Sequence, residues 1–548
     1  MSTDIRGGAA AGGDTERVAR AAGTIGLFTL LSRVLGFVRD MVVARTFGAT
    51  LAADAFFVAF RIPNLFRELL AEGTMSAAFV PVFTEKLTRG TKQQARDLAA
   101  RVFTLLLVAV VAVACLGAAA APLVVRVMAP GFAASPEQEA LTVLLTRVMF
   151  PYLVFIALSA LAMGVLNAHR DFALPALAPV FFNLALIGAA LWLSPRLPVP
   201  AMGLALGVLV GGAAQLALQL PGLKRRGMLP RLAWAPKDPD IRRIGRLMVP
   251  VVFGLSVTQV NLLVNTLLAS FLAEGSVSYL YYGMRLIHFP LGIFGVALAT
   301  AILPTLSARA AVGDLGGVRT GVVDGLRLVL FVTVPAMAGL MALRVPIVSV
   351  LFERGAFDAR ATAGVAQAVL AYATGLWAFA AVRIVAATFY AMKDTATPVR
   401  AAAAAMVANV ALNLALMGPL RHGGLALATA LAAMLNLGLL LFALKRRLAD
   451  LALASLLPGL ARTVAAAAVM AAACVWVAGR PMWEAGGLAA RAGWLGATVG
   501  GSVILFLGLH RLLGGEEGGV LARALLRRRS RAAPPPDPPP GAPPGGAG

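Results

Sequence analysis

Apolar runs of membrane-spanning length succeed one another from about residue 22 to residue 512, separated by short polar connections. They predict spans near 22–46, 52–84, 100–121, 140–166, 174–193 and 201–221. A basic connection at 224–246 follows, then spans near 247–272, 277–308, 320–343, 363–390, 397–418 and 423–444. Two more, near 459–479 and 488–512, precede a Pro/Gly/Arg-rich stretch that cannot build a core. With no water in the bilayer to satisfy the backbone, such runs become helices. The pattern predicts an all-α polytopic membrane protein of about fourteen transmembrane helices.

The two blocks of six spans match when slid by roughly 223 residues. His169-Arg170-Asp171-Phe172-Ala173-Leu174-Pro175 aligns with Met392-Lys393-Asp394-Thr395-Ala396-Thr397-Pro398, Gly203 to Leu206 with Gly424 to Leu427, and Phe79-Val80-Pro81 with Ile302-Leu303-Pro304. An even number of spans per block starts both on the same side, so the repeats are parallel, as in duplicated transporter halves. The expected division is an N-terminal segment (1–21), a first lobe (22–223), a basic linker (224–246), a second lobe (247–446), two final helices (447–513) and a tail (514–548). A central cavity between two six-helix lobes related by a pseudo-twofold axis follows.

Composition supports this class: 59% of the 548 residues are hydrophobic and 13% are charged, with a mean hydropathy of +0.84. The net charge of +23 raises the question of nucleic acid. The basic residues, however, are spread over short connections rather than gathered on a soluble domain, and topology accounts for them. Lys86 to Arg101, Lys224 to Arg243 and Lys445 to Arg447 mark the cytoplasmic side, whereas Gly48 to Ala53, Ser194 to Pro200 and Leu272 to Ser276 carry few cations. Both termini are expected inside. Residues 1–20 lack the apolar core of a removable signal. Cys115 and Cys474 sit singly in apolar runs and form no disulfide framework.

Charges inside the first two spans are the chemical signal. Arg33, Arg39 and Asp40 lie in the first, and Asp54, Arg61, Arg67, Glu68 and Glu72 in the second, where Pro63-Asn64 breaks the helical ladder. Arg61 falls against Arg285 in the second half, while Arg33 and Arg39 fall against Val257 and Leu263. A central arginine costs about 2.5–3.5 kcal/mol on insertion scales, so these residues face one another or a wet cavity. Arg33 with Asp40, and Arg61 with Glu68, share a seven-residue spacing that puts each pair on one helix face. Two readings stand: ion pairs that hold helices together, or a cavity wall whose excess of cations takes an anion such as phosphate or pyrophosphate. His288 is a relay or a packed neutral histidine. Asn265, Asn409, Asn413 and Thr429 form an ion site or interhelical hydrogen bonds.

Enzyme chemistry finds little support. The outer connections are short, no metal-ligand spacing occurs, and no GxxxxGK[ST] loop offers ATP binding. No cofactor is expected; a monovalent ion gradient or the membrane potential is the expected driving force.

The stretches SRVLGFVRD (Ser32 to Asp40), Ala53 to Phe83 and Tyr281 to Pro304 resemble the MurJ (MviN) family. These are the lipid II flippases of bacterial peptidoglycan and cell-wall biogenesis, within the multidrug/oligosaccharidyl-lipid/polysaccharide exporter superfamily. The resemblance implies a transporter in the bacterial cytoplasmic (inner) membrane. It would move undecaprenyl-pyrophosphate-linked precursor from inner to outer leaflet by alternating access, working as a monomer beside cell-wall synthesis proteins. It also implies cationic cavity residues at Arg33, Arg39, Arg61, Arg67 and Arg285, acidic partners for gating at Asp40, Asp54 and Glu72, and a lipid-tail groove on the last two helices. Met284 and His288 stand where the family pattern often has acids. Where some members have sodium-site carboxylates, this chain has Asn265, Asn409 and Asn413, with Thr429 nearby. The rivals are a drug or polysaccharide-lipid exporter of the same superfamily, a membrane-embedded glycan polymerase, for which Glu353 and Asp358 are the outer-loop acids, and a non-transporting scaffold.

Overall fold

The computed structural model describes residues 7–68, 75–448, 451–483 and 486–519; Glu72 and most of the Pro-rich tail lie outside them. Among the described residues there are helices and no strand. The first sequence half forms α1 (Gly7–Phe47), α2 (Leu51–Arg67), α3 (Val80–Arg89), α4 (Lys92–Ala119), α5 (Ala121–Met128), α6 (Pro136–Met149), α7 (Tyr152–Ala168), α8 (Ala173–Gly188) and α9 (Pro200–Arg226). The second forms α10 (Pro239–Ala269), α11 (Ser276–Pro290), α12 (Val296–Ala311), α13 (Leu315–Ala342), α14 (Arg344–Phe352), α15 (Ala359–Ala373), α16 (Leu376–Ala391) and α17 (Ala396–Leu448). α18 (Leu457–Ala478) and α19 (Leu488–Leu512) close the described chain.

Helix starts and stops follow local chemistry. Thr91 and Gln94 form a reciprocal capping box at the start of α4. Asp238 caps α10 by accepting from the Asp240 amide at 2.8 Å, and Gly227, at φ 72°, ends α9 in the left-handed conformation.

Among the described residues nine helices are long and apolar enough to cross a membrane, or ten if α15 and α16, bent by 43° at their junction, form one span. Where their residues are described, the fourteen apolar stretches read from the sequence fall mainly on helix, with differences of detail. The stretch at 140–166 is two helices parted at Phe150-Pro151, where proline cannot donate to the preceding turn. The stretches at 397–418 and 423–444 are two helices, as read, that meet without a loop at Arg421, whose φ of 52° and ψ of −134° are not helical. α4 begins at Lys92, eight residues before the apolar run, because its capping box lies in the polar connection.

The repeat is visible in backbone geometry. Arg170 and Lys393, matched in the two halves, both take positive φ, 59° and 61°. After each, the aspartate amide closes back on the preceding helix: Asp171 to the Leu166 carbonyl and Asp394 to the Phe389 carbonyl, both at 2.9 Å. Each aspartate then pairs with the arginine at the end of a later helix, Arg226 at 3.9 Å for Asp171 and Arg447 at 2.8 Å for Asp394.

By contact the chain divides into two units: 1–289 with 344–375 and 396–436, and 290–343 with 376–395 and 437–548. In the first unit, α9 lies close against α7 and α8 through small residues. A Cβ on Gly207 would come within 2.6 Å of the Ala189 Cβ, one on Gly211 within 2.7 Å of the Phe182 ring, and one on Gly212 within 2.6 Å of the Tyr152 ring. In the second unit, α13 is the central helix. Its Phe331 ring lies 5.4 Å from Phe506 and 4.7 Å from His510 of α19, and Gly325 leaves room for Ile302 and Ile384.

Gly207→Val is expected to destabilise the protein by about 1–3 kcal/mol through overpacking, read as a lower unfolding midpoint in detergent. Gly500→Ala on α19, where a Cβ meets nothing within 4 Å, should be neutral or gain about 0.5–1 kcal/mol.

Candidate functional site

A cavity of about 780 Å³ opens in the first unit, walled by α1, α2 and α7 to α11, with Tyr372 of α15 and Thr429 of α17 completing it. Its wall carries Arg39, Arg61, Arg67 and Arg285. Arg39, Arg61 and Arg285 lie inside helices and Arg67 ends α2, all within apolar sequence where only a cavity or a partner makes a charge tolerable.

Asp40 on α1 organises two of them. It is 2% exposed, and its Oδ1 accepts from Arg39 Nη2 at 2.7 Å and Nε at 3.1 Å. Arg285 Nε from α11 meets Oδ2 at 2.6 Å, and the Tyr281 hydroxyl donates to Oδ1 at 3.2 Å. Arg39 Nη1 also donates to Asn183 Oδ1 at 3.2 Å, and Asn183 is held by donating to the Ser32 carbonyl at 3.1 Å. Gly36 makes room for this arrangement: a Cβ there would lie 3.1 Å from Arg285 Nη2. Phe57 stacks on Tyr281 with centroids 4.0 Å apart and keeps the phenol oriented.

A second cluster surrounds the end of α2. Arg67 Nε donates to Asn64 Oδ1 and Asn64 Nδ2 donates to Glu68 Oε1, each at 2.9 Å. Arg67 lies 3.8 Å from Glu68, and Gln259 of α10 donates to the other Glu68 oxygen.

Arg61 lies between these clusters, half-buried on the cavity wall. Among the described residues it makes no hydrogen bond and no ion pair. Among the described residues, four arginines line the wall near two carboxylates, Asp40 and Glu68, and one guanidinium, that of Arg61, has no polar partner. The arrangement is suited to an anion that accepts from a planar donor fork.

The structure separates the other residues read from sequence. Arg33 is exposed and is not among the residues that line the cavity. Two turns before Asp40, the helix around it is uncovered, with Leu30 61% and Val34 52% exposed. Glu72 is outside the described residues. Asp54, 2% exposed, sits away from the cavity at the start of α2 and caps α11. It accepts from the amides of Gly275 at 2.7 Å and Ser278 at 2.8 Å, and from the Ser278 hydroxyl at 2.6 Å. In return, the Leu51 amide at the start of α2 donates to Glu274 at 2.7 Å. The N-termini of two helices from opposite sequence halves are therefore tied to each other's acids.

The amide cluster is joined by its own hydrogen bonds but leaves Asn409 Nδ2 and Asn413 Oδ1 buried without partners among the described residues. Asn413 Nδ2 donates to Asn265 Oδ1 at 2.7 Å and to Asn409 Oδ1 at 3.0 Å, and Asn265 Nδ2 meets Thr429 Oγ1 at 3.4 Å. Hard cations take oxygen ligands, commonly carboxylates. Here the Asn265 and Asn409 oxygens already accept from Asn413 and the four side chains carry no formal negative charge, while Asn413 Oδ1 is buried without a hydrogen-bond partner among the described residues.

Sequence reading passed over Asn183, Gln259 and Tyr281 as site residues. The available signal was the same one that marked the arginines, a strong hydrogen-bonding side chain within an apolar run. It also passed over Arg383, exposed in the middle of α16.

Comparison with known proteins resolves the identity of this arrangement. The family model described as lipid II flippase MurJ matches residues 43–491. The chain belongs to the MurJ family. A probable lipid II flippase MurJ of Vibrio cholerae is 42% identical over 433 residues, 78% of this chain and 82% of that protein. A lipid II flippase MurJ of Burkholderia cenocepacia is 40% identical over 432 residues, 78% and 84% of the two chains. A solved MurJ in an inward closed conformation shares the fold at a TM-score of 0.74 and 24% identity, covering 92% of this chain and 99% of that one. An inward-facing multidrug MATE transporter shares it at 0.65 and 14% identity, over 77% and 95%.

In this MurJ-family chain, structural and ligand-directed charges separate experimentally. Asp40→Asn leaves two arginines without their buried partner and is expected to lower stability by about 3–5 kcal/mol. Arg61→Met removes a charge that has no partner, so the unfolding midpoint in detergent should be unchanged or raised.

Proposed function

We propose that this chain is a lipid II flippase of a bacterial cytoplasmic membrane, with Arg61 as the principal ligand of the substrate pyrophosphate. The observation that carries the assignment is the unpartnered Arg61 guanidinium in the cationic cavity of a MurJ-family chain. Pyrophosphate oxygens supply the acceptors that Arg61 lacks. Arg39 and Arg285, already aimed by Asp40, add charge from the neighbouring wall, and at an effective dielectric of 20 each cation–anion contact at 4 Å is worth about 4 kcal/mol before desolvation. Arg67, positioned by Asn64, borders the same space.

Alternating access is the transport mode, with the substrate taken from the cytoplasmic leaflet and released to the outer one. Asp54 and Glu274 lock the starts of α2 and α11 on the side that the charge pattern assigns to the outside, so opening to that side requires their capping contacts to part. Once the substrate has left, the cavity again carries excess cations, and the membrane potential favours their return toward the negative interior by about 2.3 kcal/mol per charge per 100 mV. Charge movement therefore resets the carrier, and no ion step is routed through the amide cluster. The last two helices, α18 and α19, are proposed to hold the lipid tail.

The polymerase reading needs a free carboxylate in an outer connection. Both acids of that connection have structural roles: Asp358 caps α15 through the Ala361 amide at 2.8 Å, and Glu353 accepts from the Thr362 hydroxyl at 2.8 Å. A cation-drug exporter is disfavoured by cavity charge, since an excess of arginines repels the cargo.

The test is transfer of labelled lipid II across liposomes containing the purified chain under an imposed potential. Wild type should transfer it well above protein-free liposomes, and Arg61→Gln at matched folded amounts should reduce the rate at least tenfold. Wild-type transfer no faster than empty liposomes would overturn the flippase reading, and full activity of Arg61→Gln would overturn the role of Arg61. In the same assay, replacing sodium by potassium at constant potential should leave the rate unchanged; a several-fold loss would return the coupling to sodium.

A further inference from the structure

Residues 224–246, from the last turn of α9 through the connection into the first turns of α10, hold eight Lys or Arg and two Asp. Two of the cations are tied to acids on α3 or its neighbours: Arg243 to Glu85 at 2.9 Å and Arg226 to Asp171 at 3.9 Å. The Asp238 and Asp240 carboxylates are themselves taken by Arg101 and Lys86. Lys224, Arg225, Arg231, Lys237 and Arg242 are exposed and have no ion-pair partner among the described residues.

Within this cationic stretch two large apolar side chains face outward: Leu232 is 77% and Trp234 64% exposed. They are not the tip of a loose loop. The Ala233 amide between them donates to Thr104 Oγ1 of α4 at 2.8 Å, and Thr104 Oγ1 lies 3.5 Å from the Arg231 carbonyl. Met228, Leu229 and Pro230 roof a small apolar crevice with Phe103 of α4 and Leu158 of α7.

Those anchors set the depth of the segment. Arg101, paired with Asp238, is the last charge on α4; from Val102 to Ala119 the helix has none. Thr104 therefore stands within the first turn of the uncharged run, where a spanning helix leaves the headgroup layer for hydrocarbon. Leu232 and Trp234 are held beside that boundary, with Arg231 and Lys237 flanking them. Tryptophan at headgroup level, an apolar neighbour and unpaired cations form the combination that binds an anionic membrane surface.

We propose that residues 228–237 are an interfacial anchor for anionic phospholipid: Leu232 and Trp234 enter the acyl boundary of the cytoplasmic leaflet, and Arg231 and Lys237 take lipid phosphates. The occupant is the phospholipid headgroup layer rather than a protein, because the loop is fixed at the depth of that layer by α4. The proposal requires no substrate and stands or falls apart from the flippase assignment.

The test uses the full chain with Cys115→Ser and Cys474→Ser, labelled through Leu232→Cys with an environment-sensitive fluorophore. It is reconstituted in nanodiscs of phosphatidylcholine with or without phosphatidylglycerol. Blue-shifted emission, quenched by lipids carrying a nitroxide just below the headgroup, is expected. Binding of fluorescent phosphatidylglycerol should weaken about fivefold for each of Arg231→Gln and Lys237→Gln, the factor that corresponds to about 1 kcal/mol per interfacial cation. Both variants should elute as monodisperse protein, and a paired Arg89→Gln control, remote from the segment in sequence, should leave the affinity unchanged. Water-like emission unaffected by the lipid quencher would overturn insertion and leave the apolar pair to a protein partner. Equal phosphatidylglycerol affinity in wild type and both variants would overturn the anionic-lipid contact.

Discussion

One buried carboxylate sets the terms for the site. Asp40 is nearly inaccessible and holds two guanidiniums from opposite halves of the sequence, Arg39 and Arg285. In surroundings of low dielectric, removing either kind of partner leaves a charge whose desolvation is not offset, so the contact fixes α1 against α11 as well as aiming the arginines. The remaining contacts adjust around it. Asn183 holds Arg39, Tyr281 occupies the same carboxylate oxygen, Phe57 holds Tyr281, and Gly36 provides the space that Arg285 needs. Because two cations share one anion, the cluster is positioned without being neutralised.

That acid also explains how a duplicated sequence becomes an asymmetric site. Arg61 and Arg285 fall against each other in the repeat, and both line the cavity. Their fates differ because the first half supplies Asp40, whereas the matching position in the second half is Val264. Arg285 therefore finds a carboxylate on α1, while Arg61 lines the same cavity with no ion-pair partner among the described residues. Elsewhere the halves keep the same devices: the left-handed residue before each aspartate and the aspartate–arginine pair beyond it. Duplication conserved the helix junctions, and a single acid differentiated the lining.

The fold was largely legible because bilayer thickness imposes a length on apolar runs, and because capping chemistry at Thr91 and Asp238 is local. Breaks inside apolar runs were less legible. Pro151 lies in a stretch that reads as one span, and the α15–α16 bend falls at Thr374-Gly375, where little but the glycine signals it. For the site, the arginines themselves could be found from their cost in a membrane, but their partners could not. The seven-residue spacing suggested Arg33 with Asp40 and Arg61 with Glu68 along single helices. Asp40 instead pairs with its neighbour Arg39 and with Arg285, and Glu68 with Asn64 on its own helix and Gln259 on α10. Ion pairs across a helical bundle are decided by which faces tertiary packing brings together, and helix periodicity alone carries no such information. The same limit hid Asp54, whose role as the cap of α11 depends on a contact more than two hundred residues away in sequence.

The lining also bears on energetics. A cavity that holds a guanidinium with no polar partner among the described residues is poorly suited to stand empty in an apolar medium, and a bound anion brings it closer to neutrality. Under the flippase reading, loaded and empty carriers therefore differ in net charge, and the membrane potential acts mainly on the empty one. Directionality under that reading comes from the potential acting on the cavity charge. Arg61 is the residue that makes this difference sharp. A paired arginine would present nearly the same charge to the potential whether or not substrate were bound, whereas an unpaired one is compensated only by the substrate.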